Sequence, residues 1–291
     1  MGGDRTELRL GDQTVAEYVI DPELDHTLSP RPYLHPVRTR AGVTVTDAQP
    51  ADHRWHLGAS LAVQDVAGTN LWGGRTYVRG TGYTWRADHG RIVHVEFLAR
   101  EVDRVAHRLR WCDPDGATLL TEERELRVRE LAGRPDAWVL DIAYVLHAPS
   151  DRDITLGSPA TNGRPGGAGY GGFFWRAAPS AQPPRVFTAS SSAERSVNGS
   201  TEAWVALASV APQPYTLVFH GLPPDGHWFV RAGQYPGVCA AFAFEKPRVI
   251  GAGEQFAGAH TVVVADAVLS PRSAGRLAAD ALPAEPITVG R

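Results

Sequence analysis

Apolar and polar residues alternate along most of this chain. In DAWVLDIAYVLHAP, Trp138, Leu140, Ile142, Tyr144 and Leu146 fall on one parity, the period-two signature of a strand with one face buried. DRVAHRLRWC repeats the pattern with Val105, His107, Leu109 and Trp111. The same reading covers GASLAVQDV, RIVHVEFLAR, ELRVRE, AWVALASV, YTLVFH, HWFVR, VCAAFAF and HTVVVADAVL. The chain's 30 glycines and 22 prolines punctuate these runs at short intervals, the turn chemistry of an all-β protein. Only SAGRLAADAL, 273–282, has helical spacing.

Roughly fifteen strands are too many for an immunoglobulin-sized sandwich of seven to nine. No motif recurs at a fixed period, which argues against a propeller. The pattern predicts one all-β domain over residues 1–291: a large antiparallel two-sheet β-sandwich with little helix. SPATNGRPGGAGYGG, 158–172, is the longest loop-like stretch, and Tyr170 with Phe173, Phe174 and Trp175 would anchor it. It reads either as a flexible insertion or as a glycine-rich rim loop carrying binding groups.

Charge narrows the partners. A net charge of −3 gives no electrostatic reason to expect nucleic acid or an anionic membrane. Lys246 is the only lysine and precedes a proline, so Schiff-base chemistry is not expected. Cys112 and Cys239 sit in apolar strand-like runs and read as buried thiols. No window approaches 18 apolar residues and the N-terminus shows no secretory pattern, so a soluble, cytoplasmic protein is expected. No nucleotide-binding glycine fingerprint is present, so any oxidation of a substrate would fall to a separate partner enzyme.

Three stretches concentrate chemistry. In RPYLHPVRT, an extended backbone puts Arg31, Tyr33 and His35 on one face and Leu34 on the other. The two prolines predict an edge or rim strand. DHRWH follows at 52–56; if it turns, its spacing brings His53 and His56 together. Asp52, His53 and His56, with His35 as a fourth, are a conceivable set of ligands for a divalent metal, although the spacing matches no standard zinc pattern. Otherwise the imidazoles are proton-transfer or hydrogen-bonding groups. In PPDGHWFVRAGQYPGVCAAFAFEKP, His227, Phe229 and Arg231 share a parity, and Glu245 ends an apolar strand. A carboxylate so placed is a candidate general base or half of an ion pair. Glu122 and Arg124 share parity with Leu120, Leu126 and Val128, which predicts a structural ion pair on a mostly apolar face.

The N-terminal quarter, RPYLHPVRTRAGVTVTDAQPADHRWHLGASLAVQDVAGTNLWGG, resembles a bacterial family of unknown function whose members are often labelled methane oxygenase-like. Arg31, Tyr33, His35, Pro36, Asp52, His53, His56 and Trp72-Gly73 carry the match, which extends more loosely to GYGGFFWR and the C-terminal YPG. A particulate methane oxygenase subunit crosses a membrane, and no segment here has that length and hydrophobicity, so the label is set aside. FEKPRVIGAGEQFAGAHTVVV is similar to the C-terminal region of aldose-epimerase-like proteins, of galactose-mutarotase type. That resemblance implies a β-supersandwich binding a sugar in a cleft across one sheet, with histidine as acid and glutamate as base. The epimerase's central asparagine-rich strand motif is missing here.

Together these readings point to a carbohydrate-processing enzyme, a sugar epimerase or a lyase acting on a keto-sugar glycoside. His56 or His53 would be the acid and Glu245 the base. Arg31, Tyr33, His35, Tyr170, Trp175, His227 and Arg231 would hold a small-molecule carbohydrate, and a separate sugar dehydrogenase would act in the same pathway. The alternatives are a non-catalytic carbohydrate-binding protein and a metal-dependent enzyme centred on His35, Asp52, His53 and His56.

Overall fold

The computed structural model describes residues 4–282 and 289. The alternating stretches form two large antiparallel sheets. The first runs in the order β1 (Arg5–Leu10), β2 (Gln13–Val19), β3 (Tyr33–Val37), β4 (Ala59–Ala62), β13 (Gly172–Arg176), β18 (Gly237–Ala241) and β17 (His227–Arg231). The second runs β14 (Arg185–Phe187), β15 (Trp204–Ser209), β16 (Tyr215–His220), β20 (Gln255–Ala265), β11 (Ala137–His147), β10 (Thr118–Glu130), β9 (Arg104–Cys112) and β8 (Arg91–Arg100). Two small sheets complete the set: β19 (Arg248–Ile250), β12 (Ile154–Gly157) and β5 (Asp65–Val66) form one, and the hairpin of β6 (Thr76–Val78) and β7 (Gly82–Thr84) the other. The helix expected near the C-terminus is α2 (Pro271–Asp280), started by a Ser270 cap and a proline in its first turn. A single-turn helix, α1 (Glu194–Val197), was not foreshadowed by the pattern.

Parity decides what each face does. On β13, Phe173 and Trp175 enter the core between the sheets while Phe174 points to the opposite face. Trp175 is fully buried, donates from Nε1 to the Val45 carbonyl at 3.0 Å, and meets Phe219 of the other sheet edge-to-face. Phe173 stacks on His260 of β20 at 5.1 Å. The outer face of the eight-stranded sheet is covered by α2, through Ala274, Leu277 and Ala278 on Val139, Val218 and Val263. The outer face of the seven-stranded sheet is covered by loops instead. Both cysteines are buried free thiols.

The strand of RPYLHPVRT does not lie at an edge: β3 sits between β2 and β4. Its ladder is broken where the prolines fall, since β4 pairs with it only at Leu34–Ala59 and its register with β2 shifts between Ala16 and Tyr18. Interrupted pairing tolerates a missing N–H as an edge does. Among the described residues no helix is long and apolar enough to cross a membrane.

The core also holds the expected ion pair. Arg124 donates from Nε and Nη2 to the Glu122 carboxylate at 2.6 and 2.8 Å, both side chains being buried. Trp111 Nε1 completes the carboxylate at 2.7 Å, and Arg124 Nη1 reaches across to Tyr18 of the other sheet at 3.1 Å. Removing one partner strands a buried charge, so Arg124→Met is expected to destabilise the fold by about 3–5 kcal/mol, with Glu122→Leu/Arg124→Met recovering much of that loss in urea titrations. His260 offers a second test. It donates from Nδ1 to the Gly221 carbonyl and accepts from Tyr144 at 3.1 Å, and burial pulls its pKa from 6.5 to about 4. The unfolded chain binds this proton first as pH falls below 6.5, so stability is full above that pH and declines toward pH 4, by roughly 3 kcal/mol for this group. A shallower decline in His260→Gln, measured by denaturant unfolding at each pH, is the expected result.

Candidate functional site

The outer face of the seven-stranded sheet carries a cavity of about 400 Å³. Outward positions of its strands, Ala62, Phe174, Phe229, Cys239 and Ala241, pack with Trp72, Tyr170 and Tyr235 from the covering loops. Trp72, Tyr170, Phe229 and Tyr235 line the cavity from buried positions; Trp55, Tyr83 and Trp85 line it nearer solvent, Trp85 being 53% exposed. Such a mixture of aromatic surface and a few fixed polar groups is what small-molecule sites share.

DHRWH is a turn. His53 N–H donates to the Pro50 carbonyl and His56 N–H to the His53 carbonyl, so the two imidazoles stack at 4.7 Å and both line the cavity. Their proton positions follow from their partners. Arg176 of β13 approaches His56 Nδ1 at 3.3 Å; a guanidinium only donates, so Nδ1 accepts and the neutral ring carries its proton on Nε2. Burial above all, then His53 and the Arg176 and Arg31 cations, holds the His56 pKa well below 6.5. His56 is therefore a neutral N–H donor, not the acid expected of it. His53 Nδ1 lies 2.9 Å from Asp52 Oδ2. A carboxylate only accepts, so Nδ1–H points at Asp52 and the ring's other nitrogen, Nε2, is without a proton in the neutral form. Burial raises the Asp52 pKa, but the hydrogen bond from His53 and the Arg176 guanidinium outweigh it and keep the carboxylate ionised. Arg176 holds both Asp52 oxygens at 3.1 Å.

Arg31 builds the cavity wall without touching the cavity. Its side chain is 1% exposed and donates to the carbonyls of Leu28, Ser29, Trp72 and Trp55 and to Ser60 Oγ, at 2.9–3.3 Å. Burial lowers its pKa to about 9, which leaves it charged at neutral pH. The two tryptophans it fastens are both lining residues. Trp55 then lies on the Gly73-Gly74 backbone: both glycines have positive φ, and a Cβ at Gly74 would meet the Trp55 ring at 2.5 Å.

Opposite the histidines, Gln64 Nε2 donates to Tyr170 OH at 3.1 Å, Tyr170 shares a 2.8 Å hydrogen bond with Tyr83, and Arg164 donates to Tyr83 and lies over its ring. Burial raises both phenol pKa values, so the hydroxyls stay protonated. Arg164 and Tyr170 belong to the glycine-rich segment and line the cavity. The segment is pinned by Asn198 to the Gly167 carbonyl, Arg79 to the Thr161 carbonyl, and Asn162 to Asp65.

Of the residues expected to form the site, His53, His56, Tyr170 and Arg231 line this cavity together. The others do not. Glu245 is exposed beyond the end of β18 and lines a different concavity with His227, not the one that His53 and His56 line. His227 stacks on Phe244 there. Trp175 is sealed between the sheets. Tyr33 is buried against Val19 and Leu57, and His35 is half-buried with Nδ1 on Thr46 at 3.0 Å. His35 therefore does not join Asp52, His53 and His56, and among the described residues no three His, Cys, Asp or Glu side chains are placed to hold a metal. Gln64, Arg75, Tyr83, Trp85, Arg164, Tyr235 and the orienting Arg176 were not foreseen. Gln64 alone had a usable signal, as the single amide at the end of the apolar run SLAV.

The architecture and the cavity define a two-sheet β-sandwich with a ligand-sized site on one outer face. A family model described as "Family of unknown function (DUF6807)" matches residues 5–279, and the chain belongs to that family. No curated protein matches it. Solved structures are distantly similar. A candidate kojibiose phosphorylase from the human microbiome is 9% identical over 77% of this chain and 29% of its own, at TM-score 0.34. A heparan sulfate lyase HepC mutant from Pedobacter heparinus is 11% identical over 88% of this chain and 34% of its own, also at 0.34. HI1317 is 10% identical over 90% of this chain and 99% of its own, at 0.28. The chain thus spans about a third of the length of the first two, and none of these likenesses identifies the site.

Gly74→Ala is expected to displace Trp55 and cost about 1–3 kcal/mol, with Trp fluorescence changing in the native state. Gly42→Ala is the control, because it too has a positive φ but a Cβ there meets no atom within 4 Å; unchanged native fluorescence in Gly74→Ala would remove the steric argument.

Proposed function

We propose that this protein is a carbohydrate-processing enzyme, of epimerase or lyase type, that holds a sugar ring in the 400 Å³ cavity and moves protons with His53. The observation that supports this best is the Asp52–His53 couple, whose free Nε2 opens on an aromatic-lined site. The carboxylate fixes the ring's tautomer and steadies the imidazolium once it forms, the role an orienting acid plays in acid–base catalysis. Aromatic faces suit the apolar faces of a sugar, while His56 Nε2–H and Gln64 offer hydrogen bonds to its hydroxyls.

In an elimination on a keto-sugar glycoside, His53 Nε2 takes the proton next to the carbonyl. The C–O bond to the leaving group breaks, and that oxygen takes a proton from a phenol, Tyr83 or Tyr235. In an epimerisation the same groups open and reclose the ring. Arg164, Arg231 and Gln234 border a second groove of about 760 Å³, which gives the leaving group a place to lie. A keto-sugar substrate requires a separate sugar dehydrogenase upstream.

Screening sugars and keto-glycosides for mutarotation and elimination tests the reading. His53→Asn is expected to lower kcat by about 10²–10⁴ with affinity changed only a few-fold, and chelator treatment to leave the rate unchanged. Turnover undiminished in His53→Asn would dismiss His53 as the proton carrier. Tight sugar binding with no turnover on any substrate would make the protein a binding module, and activity lost to chelator and restored by a divalent ion would make it a metalloenzyme.

A further inference from the structure

Charge is distributed unevenly around the cavity. Arg75, Arg164 and Arg231 line it together with His53 and His56, and among the described residues no Asp or Glu does. The chain as a whole carries −3, so this concentration of cations is local. Arg75 lies 5.9 Å from the Trp85 ring and Arg164 4.8 Å from the Tyr83 ring; neither is within salt-bridge distance of a carboxylate among the described residues. Arg231 lies over Phe229 at 4.2 Å, with Glu194 a loose 3.9 Å away and that carboxylate's other oxygen already accepting from the Ala232 and Gly233 amides. Asp52, the acid nearest the histidines, is neutralised by Arg176. Behind the wall stands Arg31, whose five hydrogen bonds all go to uncharged oxygens.

Two cations with no carboxylate partner among the described residues, and a third with only a loose one, leave a positive field in the cavity, which an anionic ligand would balance. Planar guanidinium forks match a carboxylate, and stacking on aromatic rings holds them in orientation. Arg164 and Arg231 both border the cavity and the adjoining groove, which places them where a substituent of a bound ring would emerge. We propose, resting on the carbohydrate reading above, that the sugar this site takes is acidic, with a ring carboxylate bound by Arg164 and Arg231. The class is the hexuronates and their glycosides. For an elimination such a group takes the place of the ketone: arginines on the carboxylate stabilise the charge that develops as the adjacent C5–H proton leaves for His53, the C4–O bond breaks, and the departing oxygen takes its proton from Tyr83 or Tyr235.

The test is calorimetric binding of the methyl glycosides of glucuronate and galacturonate, each against its own methyl ester, which removes the charge and little else. The acids are expected to bind at least about tenfold more tightly at low salt, with the gap shrinking in 0.5 M NaCl. Arg164→Gln and Arg231→Gln are expected to shrink it too, weakening the acids more than the esters. Arg75→Gln, at an exposed position, gives a variant whose folding is not at issue and should weaken the acids about two- to fivefold. Esters binding as well as acids would overturn the proposal and leave the sugar reading standing. Cyclohexanecarboxylate binding as tightly as the uronates would keep the anion site and remove the sugar. Binding of neither acid nor ester up to about 10 mM would remove both.

Discussion

A single buried guanidinium sets the geometry of the site. Arg31 has no acidic partner; its donors are spent on four backbone carbonyls and a serine hydroxyl. A charge so deeply buried is tolerated only when every donor is met, so the loops around Leu28, Trp55 and Trp72 are obliged to converge on it. That convergence brings Trp55 onto the Gly73-Gly74 turn and sets both tryptophans edge-on to the His56 ring. Arg176 does comparable work from the sheet, holding Asp52 and fixing the tautomer of His56. The two arginines most responsible for the site's shape are thus 5% exposed or less.

The strands were legible because alternation is a direct consequence of pleat and burial. HWFVR shows how far this goes: Trp228 and Val230 enter the core, while Phe229 and Arg231 reach the cavity, as their parity requires. The turn in DHRWH was legible for a similar reason, since a spacing of three brings rings together only if the chain bends. Parity names a face but not what covers it. Arg31, Tyr33 and His35 were correctly separated from Leu34, yet the face they share lies beneath loops. Trp175 was assigned to the ligand because it is aromatic and follows a glycine-rich loop; one residue's shift in parity, from Phe174, puts it in the core instead.

Glu245 failed for a different reason. The apolar run VCAAFAF implies a strand to its end, but pairing stops at Ala241, and the chain turns so that the carboxylate emerges elsewhere. Tyr83, Arg164 and Tyr235 could not be found by pattern at all. Tyr83 lies on a strand of three residues, too short to show a period, and Arg164 and Tyr235 lie on a glycine-rich loop and a turn, where side-chain direction is set by tertiary contacts.

The stacking of His53 on His56 has one more effect. Two imidazolium rings in face contact repel, and His56 already lies beside the Arg176 guanidinium, so the inner ring stays uncharged. Behind His53 the site therefore has a neutral aromatic plate and not a second cation, and that plate fixes the plane of the outer ring.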